Sequence, residues 1–176
     1  LASNGALPSG VRPSAVPGLN EVHPRVVGDP VVSVIIPTIG TRNVAGTGRF
    51  VDDAVLSLMQ RENNATMEII VVTTGVIPDV PVDLHGKHRI KHVVYDAESF
   101  NFSEAINAGR AAATGEYLLL LNDDTTVAAP NPVTRLLEIG QIEGVGVVGC
   151  RLTYPDGRLQ HVGMVLLPSG PTHCWI

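Results

Sequence analysis

Glu116-Tyr117-Leu118-Leu119-Leu120-Leu121-Asn122-Asp123-Asp124-Thr125 carries an unbroken apolar stretch into two adjacent carboxylates. A tyrosine followed by four leucines has the pattern of a central strand buried on both faces, as in a parallel sheet. Such sheets open their ligand crevice beyond the carboxyl ends of the strands, which is where Asp123 and Asp124 fall. Asn-Asp-Asp is also a favoured turn sequence, so these ten residues alone allow a solvated bend as well as a cation site.

Working outward, the same alternation of elements recurs. Val31-Val32-Ser33-Val34-Ile35-Ile36 reads as the first buried strand, stopped by Pro37, which cannot donate to a central ladder. Apolar residues at Phe50, Val51, Ala54, Val55, Leu58 and Met59 then mark one face of a helix. Glu68 to Val72 and Arg89 to Tyr95 read as further strands. Between the latter and the quoted stretch, Ser103 is expected to cap a helix through Ala105, Ile106, Gly109, Ala112 and Ala113, whose small residues permit close approach to a sheet. After the acidic pair, Asn131 and Pro132 announce another helix through Leu136, Leu137 and Ile139. Val145 to Cys150 is expected to form one more strand, and Tyr154-Pro155-Asp156-Gly157 a turn between Arg151 to Thr153 and Leu159 to Leu167. No internal repeat is present.

Strands alternating with helices imply an α/β sandwich around a mainly parallel sheet. In that arrangement Pro37-Thr38, Thr73-Thr74-Gly75 and Asn122-Asp123-Asp124 share one edge. Residues 1–30, with Pro8, Pro13, Pro17, Pro24 and Pro30, show no sustained period and read as an extended or mobile lead-in, leaving residues 31–176 as one domain.

The composition agrees with a globular chain: 44% of its 176 residues are hydrophobic and mean hydropathy is +0.22. A net charge of -5 argues against a nucleic-acid partner, which needs a basic face to neutralise phosphates. Every apolar run falls well short of the roughly 18 residues of a membrane span, so a soluble segment is expected. The first residues, beginning at Leu1, lack the pattern of a secretory signal, which suggests a fragment of a longer protein. Cys150 and Cys174 have no metal-site spacing and read as two reduced thiols, and a cytoplasmic location follows as an expectation.

Taken together, Val31 to Thr38, Glu68 to Gly75, Phe100 to Gly109 and Gly115 to Asp124 resemble the nucleotide-sugar-binding half of family 2 glycosyltransferases, over roughly residues 30–173. Val145 to Gly163, with Gln160-His161-Val162-Gly163, also follows the pattern of members that build bacterial cell-surface polysaccharide. The resemblance implies a GT-A fold, a Rossmann-like three-layer sandwich with a mainly parallel sheet, truncated at its C-terminus. It implies a nucleoside-diphosphate-sugar donor, a polysaccharide or glycolipid acceptor and a divalent metal, manganese or magnesium. It further implies peripheral association of the parent protein with a membrane.

By the same resemblance Asp124 is the direct metal ligand. Asp123 hydrogen-bonds the ribose and can join the metal shell, and Asn122 stands first in the acidic triplet. Pro37 and Thr38 lie along the nucleoside, and Asn107 faces the donor. Thr73 occupies the position where the family often has an aspartate for the base, and Ile106 one where a basic residue is frequent, so the base preference stays open. Phe100 and Phe102 are expected to serve packing. His161 reads as structural, His173 lies too near the end to assign, and His85, His88 and His92 are expected to face solvent.

The reaction implied is inverting, with a carboxylate as general base. In the family that residue follows the metal motif by many tens of positions. The chain is therefore expected to be a donor-binding core without its own base, and Glu138 and Glu143 are poor substitutes. A dinucleotide oxidoreductase is disfavoured because Gly40, Gly46 and Gly48 do not make the Gly-x-Gly-x-x-Gly turn. A non-catalytic interaction domain that keeps the fold is the remaining alternative.

Overall fold

The computed structural model describes residues 9–14, 16–62, 64–75, 80 and 88–173. His85 and Cys174 lie outside them. Two strands, β1 (Ser9–Pro13) and β2 (Asn20–Pro24), pair as an antiparallel hairpin within the segment read as a lead-in. The core elements follow as β3 (Val31–Pro37), α1 (Phe50–Arg61), β4 (Thr66–Thr73), β5 (Arg89–Val94), α2 (Phe102–Ala112), β6 (Tyr117–Leu120) and α3 (Pro132–Gly140). Two short hairpins close the chain, β7 (Leu152–Thr153) with β8 (Leu159–His161) and β9 (Met164–Leu167) with β10 (Gly170–His173).

The principal sheet has the order β5-β4-β3-β6, and its three strand pairs are all parallel. Alternation along β3 and β4 divides the core into two layers, because successive side chains point to opposite faces. Val32, Val34, Ile36, Met67, Ile69 and Val71 pack with α1 and α3 on one face. Ile35, Ile70 and Val72 pack with Ala105 of α2 on the other. The central position of β3 and β4 explains their uninterrupted burial.

Several details differ from the sequence reading. β6 is an edge strand of this sheet. Tyr117, Leu119 and Leu121 pack against the core, but Leu118 and Leu120 are 46% and 53% exposed. Periodicity in the leucine run could not show this, since a leucine tract looks alike whether one face or two is covered. Val145 to Cys150 forms no strand, and Val147 is almost fully exposed. Helix α2 is capped by Asn101, whose side chain accepts from the Ser103 and Glu104 N–H groups, so Ser103 lies inside the helix.

Asn131 precedes α3 as expected, but it adopts a left-handed conformation (φ 48°) and gives no side-chain cap. Glu62, at the end of α1, supplies the cap instead, accepting from the Val133 and Thr134 N–H groups at 2.8 and 3.0 Å. The Tyr154–Gly157 turn forms, with the Gly157 N–H donating to Tyr154 O. The strand expected from Leu159 to Leu167 is interrupted at Val162–Gly163.

Candidate active site

Strand β3 ends at Pro37, and Thr38 continues its ladder by donating its N–H to Val72 O at 2.8 Å. The Leu121 N–H donates to Ile35 O, which carries the β3–β6 pairing to the start of the acidic segment. Asn122 to Thr125 then close a turn, the Thr125 N–H reaching Asn122 O at 3.2 Å. The cation-site and turn readings of this segment are therefore compatible: Asp123 and Asp124 are the two central residues of a turn held at the sheet edge.

A cleft of about 290 Å³ opens there, lined by Pro37, Thr38, Phe100, Asn122, Asp123 and Asp124 among others. The Thr38 hydroxyl donates to Asp123 Oδ2 at 2.6 Å and accepts the Gly40 N–H at 2.9 Å. Gly40 has φ 75°, a left-handed conformation that residues carrying a Cβ resist. Asp124 is exposed, and its carboxylate makes no hydrogen bond or ion pair within the described residues.

The structure thus brings together five expected residues, Pro37, Thr38, Asn122, Asp123 and Asp124. It does not bring Thr73 or Asn107 into the lining of this cleft. Thr73 is buried at the end of β4, its hydroxyl accepting the Gly75 N–H. Asn107 is exposed on α2. Phe100 and Phe102, expected to serve packing, line the cleft and are 36% and 50% exposed. Their signal in the sequence was their place on either side of the cap residue Asn101, Phe100 just before it and Phe102 at the first position of α2.

Among the described residues no lysine or arginine lines the cleft, so a diphosphate there would meet two carboxylates and no balancing charge from them. An added divalent cation fits this donor set: carboxylate oxygens are hard ligands, and a phosphate ligand with water completes a shell of the manganese or magnesium type. Among the described residues no cluster of three His, Cys, Asp or Glu side chains could hold a metal by itself. His161 lies partly buried in β8, His92 is exposed, and His88 is half-buried and accepts the Met67 N–H. Glu138 bonds to Arg135 and His23, and neither it nor Glu143 lines the cleft. A larger apolar trough of about 520 Å³ along β6 has, among the described residues, Arg110 as its one charged lining group and no carboxylate.

Comparison with known proteins bears on the family and the fold. The model of glycosyl transferase family 2 matches residues 33–166. A Sinorhizobium fredii protein of uncharacterised function, y4gI, is 38% identical over 143 residues, covering 79% of this chain and 15% of its own length. The O-antigen biosynthesis protein RfbC of Myxococcus xanthus is 30% identical over 148 residues, covering 82% of this chain and 11% of its own length. The chain thus spans well under a fifth of either relative. In structure it is similar to the mannosyltransferase PcManGT of Pyrobaculum calidifontis, solved with GDP-Man and Mn2+, at a TM-score of 0.59 and 18% identity, over 75% of this chain and 38% of that one. With the family model spanning both the strand that leads to Thr38 and the acidic turn, the chain belongs to glycosyl transferase family 2 and has the α/β architecture of a GT-A glycosyltransferase.

Proposed function

We propose that the cleft binds a nucleoside-diphosphate sugar, with a manganese or magnesium ion held by Asp124, in a protein that transfers the sugar to a saccharide or glycolipid acceptor with inversion. One observation carries the reading: at the carboxyl edge of the sheet, Asp123 is tied to Thr38, while the adjacent Asp124 carboxylate lines the cleft with no partner among the described residues. A bound cation would offset the charge that develops on a departing diphosphate. The chain's own residues do the placing. Asp123 keeps one oxygen available to accept from a sugar hydroxyl, and Phe100 and Phe102 give the cleft an apolar, aromatic wall.

Inversion needs a base beside the acceptor hydroxyl. Among the described residues, the only carboxylates lining the cleft are Asp123 and Asp124. We assign the base to an acceptor-binding part of the longer protein, so that this chain binds donor but transfers little sugar by itself.

Calorimetric titration with UDP and GDP, with and without manganese, tests the proposal. Manganese-dependent binding is expected, and Asp124→Ala should weaken it by at least about tenfold, the loss of one charged ligand contact. A folded chain that binds neither nucleotide would instead support an interaction domain that retains only the architecture.

A further inference from the structure

A threonine hydroxyl has one proton to donate and two lone pairs. In Thr38 the proton goes to Asp123 Oδ2 at 2.6 Å, and a lone pair takes the Gly40 N–H. The residue is 1% exposed. Such a hydroxyl has no proton left for a nucleotide, and the distance is in the short range of charge-assisted bonds to a carboxylate. The bond crosses 85 positions of sequence to join the end of β3 to the turn after β6. Its threonine end is itself anchored by the backbone bond to Val72.

We propose that Thr38 is a positioning residue for the donor site. Its hydroxyl fixes the Asp123 carboxylate through Oδ2 and leaves Oδ1 and the neighbouring Asp124 for a nucleoside diphosphate and its cation. This rests on the nucleotide-sugar reading above, but it assigns Thr38 a different role from contact with the nucleoside. Without the bond, Asp123 gains rotamer freedom that each binding event must remove.

The test is manganese-dependent binding of UDP and GDP to the intact protein, with folding of every variant checked by circular dichroism and melting. Thr38→Val keeps the shape and removes the hydroxyl. Its dissociation constant should rise about tenfold, and Thr38→Ser should return it to within about threefold of the native value. In an Asp123→Ala background, Thr38→Val should change binding by less than about twofold, because the partner is already gone.

Native binding that survives Thr38→Val unchanged overturns the role of Thr38 alone. So does a serine variant that fails like valine, or a valine effect that persists in the Asp123→Ala background, which would place its origin in the Gly40 turn. Failure of the native protein to bind either nucleotide overturns the nucleotide-sugar reading, and this role falls with it.

Discussion

Glu68 lies on β4 with its carboxylate buried. Ser33 Oγ donates to it at 2.7 Å, the Thr114 N–H and hydroxyl each at 2.9 Å, and Lys91 forms an ion pair with it. Burial opposes its ionisation, but Lys91, Thr114 and Ser33 outweigh that and bring its pKa from 4.5 to about 2. A carboxyl lowered on folding stabilises fully above its unfolded pKa and loses that contribution as pH falls through the folded one. The window therefore runs from about pH 4.5 down to about 2. Because Lys91 is 39% exposed, we expect a contribution of about 2 kcal/mol rather than the full shift. Melting curves across that window should fall less steeply for Glu68→Gln than for the native chain. In the sequence Glu68 was visible only as the start of a strand, since its partners lie up to 46 positions away. The position of Asp124 at the sheet edge was legible because it depends only on the strand immediately before it.

Helix α2 meets the sheet at Gly109. A Cβ there would overlap Ile35 Cγ2 and stand 3.0 Å from Val72 Cγ2, both in the fully buried cluster beneath the helix. Alanine would favour the helix by about 1 kcal/mol, but overpacking costs about 1–3 kcal/mol. The denaturation midpoint of Gly109→Ala should drop by the equivalent of about 1 kcal/mol. The small residues of this helix announced a close approach in the sequence, and the geometry agrees. Its cap could not be located so well, because Asn101 and Ser103 are both good capping types, and it is the Tyr95 hydroxyl, accepting the Asn101 N–H and donating to Asn101 O, that holds Asn101 in place. Glu62 is a similar case. Burial raises its pKa, but N–H groups of Ala65, Thr134 and Asn64 and the Thr134 hydroxyl together hold it below the ordinary value. One carboxylate thereby joins the end of α1 to the start of α3, a link between elements that neither helix's own sequence discloses.

Across the whole molecule, two apolar layers enclose β3 and β4, while β6 keeps one face open. Leu118 and Leu120 border the apolar trough, and Val147 stands almost fully in solvent beside it. Exposed apolar area of this kind binds environment-sensitive dyes. The native chain should therefore enhance anilinonaphthalene sulfonate fluorescence, and replacing Leu118 and Leu120 together by serine should reduce that signal. Because these side chains are half exposed, the melting temperature should move by only a few degrees.

The amino-acid sequence alone determined the alternation of strands and helices, the parallel character of the sheet and the acidic turn at its carboxyl edge. These are set by local periodicity and by residues close together in the chain. Tertiary structure decided which strand lies at the edge, which residue caps each helix, and that Thr38 holds Asp123. Those outcomes depend on groups far apart in sequence whose hydrogen bonds and burial exist only once the strands are paired.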